Sequence, residues 1–204
     1  KEGKFKESAK YLKIANDESM KYKKSDLSLK IQHTEFYRSL KIKNSKNKYL
    51  KNSSNYIFIV GMPRSGSTLL ENILSLNPEV TDMGEVNFLE ESIKEAEDFE
   101  DVYDLYEKKV INQFPSSIIY TDKSLFNYMY CAVISNFFPK AKIINCIRNP
   151  LDNILSIYRA NFLKQSFSFS LTDISSLYVH YFETMEEYKI KYGDNIYDYH
   201  YEDL

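Results

Sequence analysis

Arg64, Lys123 and Arg148 are the side chains whose types and spacing suit chemistry on an anionic group. Around the first of them the chain reads Y-I-F-I-V-G-M-P-R-S-G-S-T-L-L over residues 56–70. The apolar run 57–60 predicts a strand buried on both faces, because a half-exposed strand would alternate with polar residues. Gly61, Pro63 and Gly66 then predict a tight loop. Ser65, Ser67 and Thr68 are N-cap candidates for a following helix, whose apolar pattern is Leu69, Leu70, Ile73 and Leu74. A strand, a glycine-bearing loop and a helix start in that order form an anion cradle. The N–H groups of the first turn have no intrahelical partner, and the helix dipole adds partial positive charge.

The spacing from Gly61 to Gly66 is that of the phosphate-binding loop G-x-x-x-x-G-K-[ST], but Ser67 stands where the lysine belongs. A nucleoside triphosphatase uses that lysine to hold the terminal phosphates. Without it, the loop can grip a phosphate but is poorly equipped for a triphosphate with Mg²⁺. The cation here is Arg64, inside the loop. An ordinary strand-turn-helix corner with an exposed arginine would read the same, so the weight falls on the residues at the ends of the other strands. Lys123 comes just after the strand-like run 118–121, Arg148 after 142–147, and Tyr201 with Glu202 after 195–200. In a parallel sheet these positions share one rim with the loop 61–68, where ligands bind. Arg148 and Ser156 are separated by a loop and roughly two helical turns, which lets a guanidinium and a hydroxyl reach one phosphate from two directions.

The elements that must position these groups can be read from periodicity. Residues 1–50 read as two helices, with Phe5, Leu12 and Ala15 on one face of the first and Leu27, Leu29, Ile31, Phe36, Leu40 and Ile42 along the second. The order Gly3, Phe5, Ser8, Leu12, Ala15 resembles the second helix of a tetratricopeptide repeat. One partial repeat cannot bury its own face, so the segment is either the tail of an upstream array or an ordinary helical lead-in. The polar run 44–55 marks a boundary, which divides a helical segment at 1–50 from an α/β domain at 55–204. Further elements are a short extended piece at 80–83, helices at 86–97, 102–112 and 125–138, and a helix opened by Pro150 and running to about 164. In the 125–138 helix, Phe126, Met129, Tyr130, Val133 and Phe137 share one side. A long helix from Leu171 to beyond Tyr188 is closed by Gly193. Strands alternating with helices imply a parallel sheet with helices on both faces.

Composition bounds the rest. The 204 residues suit one ordinary domain plus an appendage. Net charge is −2, with +9 on residues 1–51 and −11 on the remainder. The basic N-terminal part has no interleaved aromatic or glycine-rich recognition motif, so a nucleic-acid partner is not expected. No apolar stretch is long enough to cross a bilayer, so no membrane segment is expected. Cys131 and Cys146 sit in apolar settings without metal spacing, which favours buried free thiols, a reducing compartment and hence a cytoplasmic location. His33, His180 and His200 lack the pairing a general base would want. The chain starts at Lys1 without a Met and stops at Leu204 just past a strand-like run, so it reads as an excerpt from a longer protein.

With these residues in place, the sequence resembles the sulfotransferases that use 3′-phosphoadenosine 5′-phosphosulfate (PAPS). P-R-S-G-S-T at 63–68 is similar to their 5′-phosphosulfate loop, and I-R-N-P-L-D-N-I-L-S-I-Y-R at 147–159 to their 3′-phosphate element. N-P-E-V at 77–80 leading to Gly84-Glu85 resembles the segment with their catalytic glutamate. T-D-K at 121–123 resembles the one with their active-site lysine, and Y-E-D-L at 201–204 a tyrosine element near the nucleotide. The closest likeness is to the tetratricopeptide-linked and tyrosylprotein sulfotransferases. The resemblance covers residues 55–204. It implies a nucleotide-kinase-like, P-loop-like α/β fold with PAPS as co-substrate and no metal. The implied catalytic residues are Glu85, Lys123 and Arg64. The nucleotide would be held by Pro63, Arg64, Ser65, Gly66, Ser67, Thr68, Arg148, Ser156 and Tyr201. The acceptor would be a peptide tyrosine, a carbohydrate or a small molecule, with specificity expected in 86–115 and in upstream repeats, which would also meet a protein partner. Two departures stand out. The segment that family members carry beyond Y-E-D-L is absent, and Ala160 occupies the site of a second basic contact, with Arg159 one position away. An ATP-dependent small-molecule kinase on the same fold, and a degenerate nucleotide-binding module on a helical scaffold, are the competing readings. Ser67 speaks against the first, and the joint presence of Glu85, Lys123 and Arg148 against the second.

Overall fold

The computed structural model describes residues 4–40, 42, 55–138, 140–162 and 164–203. Gly3 of the repeat-like pattern, the polar run up to residue 54 and Leu204 lie outside the described residues. The elements are α1 (Phe5–Tyr22), α2 (Leu27–Ser39), β1 (Asn55–Gly61), α3 (Ser67–Leu74), β2 (Val80–Asp82), α4 (Phe88–Glu95), α5 (Val102–Gln113), β3 (Ile119–Asp122), α6 (Cys131–Phe137), β4 (Lys142–Ile147), α7 (Pro150–Ala160), α8 (Leu171–Tyr192) and β5 (Ile196–His200). Short 3₁₀ turns include Leu125–Tyr130, Ser166–Phe169 and Tyr201–Asp203.

The five strands form one parallel sheet in the order β2-β3-β1-β4-β5. After β1 the chain goes to one side for β2 and β3, then returns to the other side for β4 and β5. The carboxyl end of β1 is therefore the switch point where a crevice opens. The two faces of the sheet are covered unequally. Tyr56, Phe58 and Val60 point into a large aromatic core, with Tyr106 5.1 Å from Tyr56 and Phe138 5.4 Å from Phe58 between ring centroids. Ile57 and Ile59 meet a small cluster with Leu70 and Leu74 of α3. The apolar run of β1 is thus explained, since it needs apolar residues on both sides.

Several boundaries differ from sequence expectation for physical reasons. The single helix expected at 125–138 is a 3₁₀ turn followed by α6, and all of α6 is buried instead of one stripe. Asn127 binds the carboxylate of Asp122, fixing the turn before the helix can begin. α7 stops at Ala160 because Asn161 adopts a left-handed conformation, φ 48°. Gly193 closes α8 with right-handed dihedrals and opens a 3₁₀ turn, so no left-handed cap is made there. In α2 the inward face is Leu27, Lys30, Thr34 and Tyr37, whereas Leu29 and Phe36 are exposed. Phe5 and Ala15 of α1 also face outward, and Leu12 and Asn16 face the core. Tyr37 wins its place by packing edge-on against His33 and Tyr130.

Candidate active site

The loop after β1 is shaped by close approaches. A Cβ on Gly61 would lie 2.7 Å from the carbonyl oxygen of Cys146 on β4, so the chain can leave the sheet this tightly only with glycine. Arg64 (φ 68°) and Gly66 (φ 94°) are both left-handed, which throws the Arg64 side chain outward and curls the backbone back to start α3. Gly66 is the N-cap and no side chain caps the helix, so Ser65, Ser67 and Thr68 do not play that part. The hydroxyl of Ser65 is buried and unpartnered among the described residues. The helix start is thus left without a side-chain cap, beside a buried free hydroxyl in the loop that leads into it, the arrangement that an anion cradle requires.

Three elements close over this loop. Asn153 of α7 donates to the Pro63 carbonyl at 2.9 Å. Arg148, at the end of β4, donates from Nη1 to the Arg64 carbonyl at 3.1 Å, and its guanidinium lies 4.8 Å from the centre of the Tyr201 ring. That ring rests on the loop itself, because a Cβ on Gly66 would fall 2.3 Å from its Cδ2. Arg64 in turn donates from Nε to Ser156 Oγ at 3.3 Å. Arg148, Ser156 and Tyr201 therefore gather around Arg64. The turn that holds Tyr201 is tied to the start of α7, where the Asn149 N–H donates to Glu202 at 2.7 Å. Asn149 also caps α7 through its side chain, with Pro150 following it.

The opposite side of the crevice carries the acid and the lysine. Glu85 follows the turn at Gly84, whose carbonyl accepts from the Lys123 N–H at 2.9 Å. Lys123 Nζ donates to Glu85 Oε1 at 3.0 Å and lies 3.7 Å from Glu71 Oε2. The lysine side chain is 7% exposed, Glu71 6% and Glu85 72%, so the pair consists of one interior and one exposed carboxylate on a buried ammonium. Burial raises the Glu71 carboxyl above its ordinary range, opposed by the nearby Lys123 charge and by the Thr121 hydroxyl, which donates at 3.1 Å. Next to Lys123, the wholly buried Asp122 accepts from Ser124 N–H, Asn127 and the Tyr106 hydroxyl. Desolvation outweighs those bonds and pushes its carboxyl up to about 7.

A cavity of about 880 Å³ joins the two sides, lined by Pro63, Arg64, Gly66, Ser67, Thr68, Glu85, Arg148 and Tyr201. Ser65, Lys123 and Ser156 stand behind that lining, within the bonds described above or, for Ser65, buried in the loop. The far wall comes from Leu125, Phe126, Phe162 and Gln165. Of the 86–115 segment, only Asn87 reaches the cavity, because α4 and α5 spend their apolar faces on the core. The far wall is instead held by α2. Asp26 accepts from the Ser166 hydroxyl at 3.0 Å and the Phe167 N–H at 2.7 Å, while Lys30 sits 3.9 Å over the Phe126 ring. Glu71, Asn153 and Asp26 escaped the sequence reading. The one available signal was for Glu71, an acid set among the apolar residues of a short helix.

Among the described residues, no helix is long and apolar enough to cross a membrane, and no group of three or more His, Cys, Asp or Glu is placed to hold a metal ion. Cys131 and Cys146 are buried free thiols, and burial pushes the Cys146 thiol up to about 12. A protein of Aquifex aeolicus (strain VF5), described as uncharacterized, is 27% identical to this chain over a match that takes in 72% of the chain. The match covers 23% of that relative, so the chain spans about a quarter of its length. The model of the sulfotransferase family matches residues 56–117 and 94–204, taking in the sheet, the loop and both sides of the crevice, and the chain belongs to that family.

Proposed function

We propose that residues 55–204 form a PAPS-dependent sulfotransferase domain that moves a sulfuryl group to an acceptor hydroxyl or amine. The observation that carries this reading is one cavity with an anion cradle, ringed by Arg64, Arg148, Ser156 and Tyr201, on one side and the Glu85–Lys123 pair on the other. The fit with a doubly phosphorylated nucleotide rests on unspent polar groups. Ser65 Oγ and Arg148 Nε are buried without partners among the described residues, and α3 has no side-chain cap. Such atoms are costly unless a ligand satisfies them.

In this mechanism the acceptor oxygen or nitrogen forms a bond to sulfur as the bond from sulfur to the bridging oxygen breaks. The electron pair leaves with the 5′-phosphate of adenosine 3′,5′-bisphosphate. Glu85, exposed at the cavity rim, takes the acceptor proton, a role worth about 10²- to 10⁴-fold. Lys123 and Arg64, with the loop N–H groups, offset charge on the sulfuryl and leaving oxygens, where one such donor is worth about 10²- to 10³-fold. Pro63, Gly66, Ser67 and Thr68 shape the cradle, while Arg148, Ser156 and Tyr201 hold the 3′-phosphate. No metal is called on. The helices α1 and α2 are read as either the tail of a tetratricopeptide array or an ordinary helical lead-in, and the domain as similar in kind to the tetratricopeptide-linked and tyrosylprotein enzymes. Upstream repeats would recruit a protein partner, and buried free thiols favour the cytoplasm. The acceptor is a peptide tyrosine, a carbohydrate or a small molecule.

Titration calorimetry tests the reading. Adenosine 3′,5′-bisphosphate should bind more tightly than ADP, and Arg148→Ala should cost about 1.5–3 kcal/mol, or one to two orders of magnitude in affinity. Equal binding of the two nucleotides would sink the 3′-phosphate assignment and revive the kinase reading.

A further inference from the structure

Lys123 has two carboxylates for one charge, and they are not equivalent. Glu85 is on the exposed side, at the cavity rim, whereas Glu71 is interior and fixed. Glu71 rises from the first turns of α3, the helix that begins at the phosphate loop. Its Oε1 accepts from Thr121 of β3, the strand that delivers Lys123. One side chain therefore ties the loop helix to the lysine strand behind the cavity.

We infer that Glu71 is the standing counter-ion of Lys123, holding the lysine charged and in place so that the outer carboxylate of Glu85 can be given up to the acceptor. A buried lysine deprived of its counter-ion loses its proton at lower pH, because burial penalises the charged form. With Glu85 as sole partner, every step that engages Glu85 elsewhere would leave Lys123 uncompensated. With Glu71 fixed behind it, the ammonium remains paired while Glu85 turns to the acceptor. Glu71 is thus a positioning residue that acts through Lys123. The groups facing the pair are Glu85 in front, Asp82 at the end of β2, and Asp122, whose carboxyl is engaged with Tyr106, Ser124 and Asn127. Asp82 raises the Glu71 carboxyl, and Glu71 and Asp122 repel one another, so the lysine is the group that makes this cluster of acids tolerable.

The inference rests on the sulfuryl-transfer reading, and its test separates the two. Binding of adenosine 3′,5′-bisphosphate is measured by calorimetry at pH 7.5 and pH 9 for the wild type and Glu71→Gln. The wild type should change less than about twofold. Glu71→Gln should bind about tenfold more weakly at the higher pH, as Lys123 loses its charge. Adding Lys123→Arg should flatten the profile again, since a guanidinium stays charged. A wild type that binds no bisphosphate overturns the functional reading itself. A wild type that binds, with a Glu71→Gln profile equally flat, overturns only the role of Glu71. If Glu71→Gln does not fold, Glu71→Asp withdraws the carboxylate by one methylene and must shift the profile in the same direction; a flat profile there also overturns the inference.

Discussion

Gly66→Ala tests whether the tyrosine after β5 is part of the loop's architecture. The added methyl faces two separate costs. An alanine at φ 94° is left-handed and loses about 1–2 kcal/mol. Its Cβ would also sit 2.3 Å from Tyr201 Cδ2 and 3.0 Å from Cε2, so the ring must leave the loop. Moving the ring gives up its contact with the Arg148 guanidinium, worth about 0.5–1 kcal/mol at a partly exposed site. The total, about 1.5–3 kcal/mol, should lower the melting temperature by about 3–12 °C for a chain of this size. Calorimetry with adenosine 3′,5′-bisphosphate should show weakened binding in parallel. Tyr201→Ala in the same background removes the steric cost but not the backbone strain, so the double variant should recover part of the loss. The coupling between the two sites should lie at about 0.5–3 kcal/mol. Strict additivity of the two substitutions would mean that the ring does not bear on Gly66, and would refute the reasoning.

Glu85→Gln should bind adenosine 3′,5′-bisphosphate normally and turn over about 10²- to 10⁴-fold more slowly, because a base matters mainly in the transition state; near-normal turnover at saturating acceptor would move the base elsewhere. Asp122 binds its proton more tightly folded than unfolded, with its carboxyl raised to about 7. The folded state therefore holds more protons between pH 4 and 7, and stability should fall as pH rises through that window. Asp122→Asn should flatten that part of a denaturation-versus-pH curve, and an unchanged slope would exclude a buried ionisation there. Asp26→Ala should raise amide exchange at Phe167, whose N–H it frees, and weaken the far wall of the cavity while leaving bisphosphate affinity within about twofold. Unchanged exchange at Phe167 would show that α2 does not hold that wall.

The strand, glycine loop and helix at 56–74 were legible because their causes are local. An uninterrupted apolar run, glycines at tight turns and the start of an apolar helical period lie within one short stretch, and β4 and the start of α7 at Pro150 were equally plain. The convergence of Lys123, Arg148 and Tyr201 also followed from the chain alone, since parallel strands place their carboxyl ends on one rim. Packing decided the rest. Sequence period could not say that Leu29 and Phe36 face outward while Tyr37 and Thr34 face in, because an amphipathic tyrosine and a self-bonded threonine outbid apolar residues only once α8 and the 125–130 turn are beside them. Nor could it pair Glu71 with Lys123, 52 positions apart, or seat Tyr201 on Gly66. Those contacts depend on how α3, β3 and the end of β5 meet in space. The types of group proposed to act on an anion were thus legible locally, and their charge partners were decided by the tertiary fold, because electrostatic pairing depends on distance through space and burial, to which chain separation is blind.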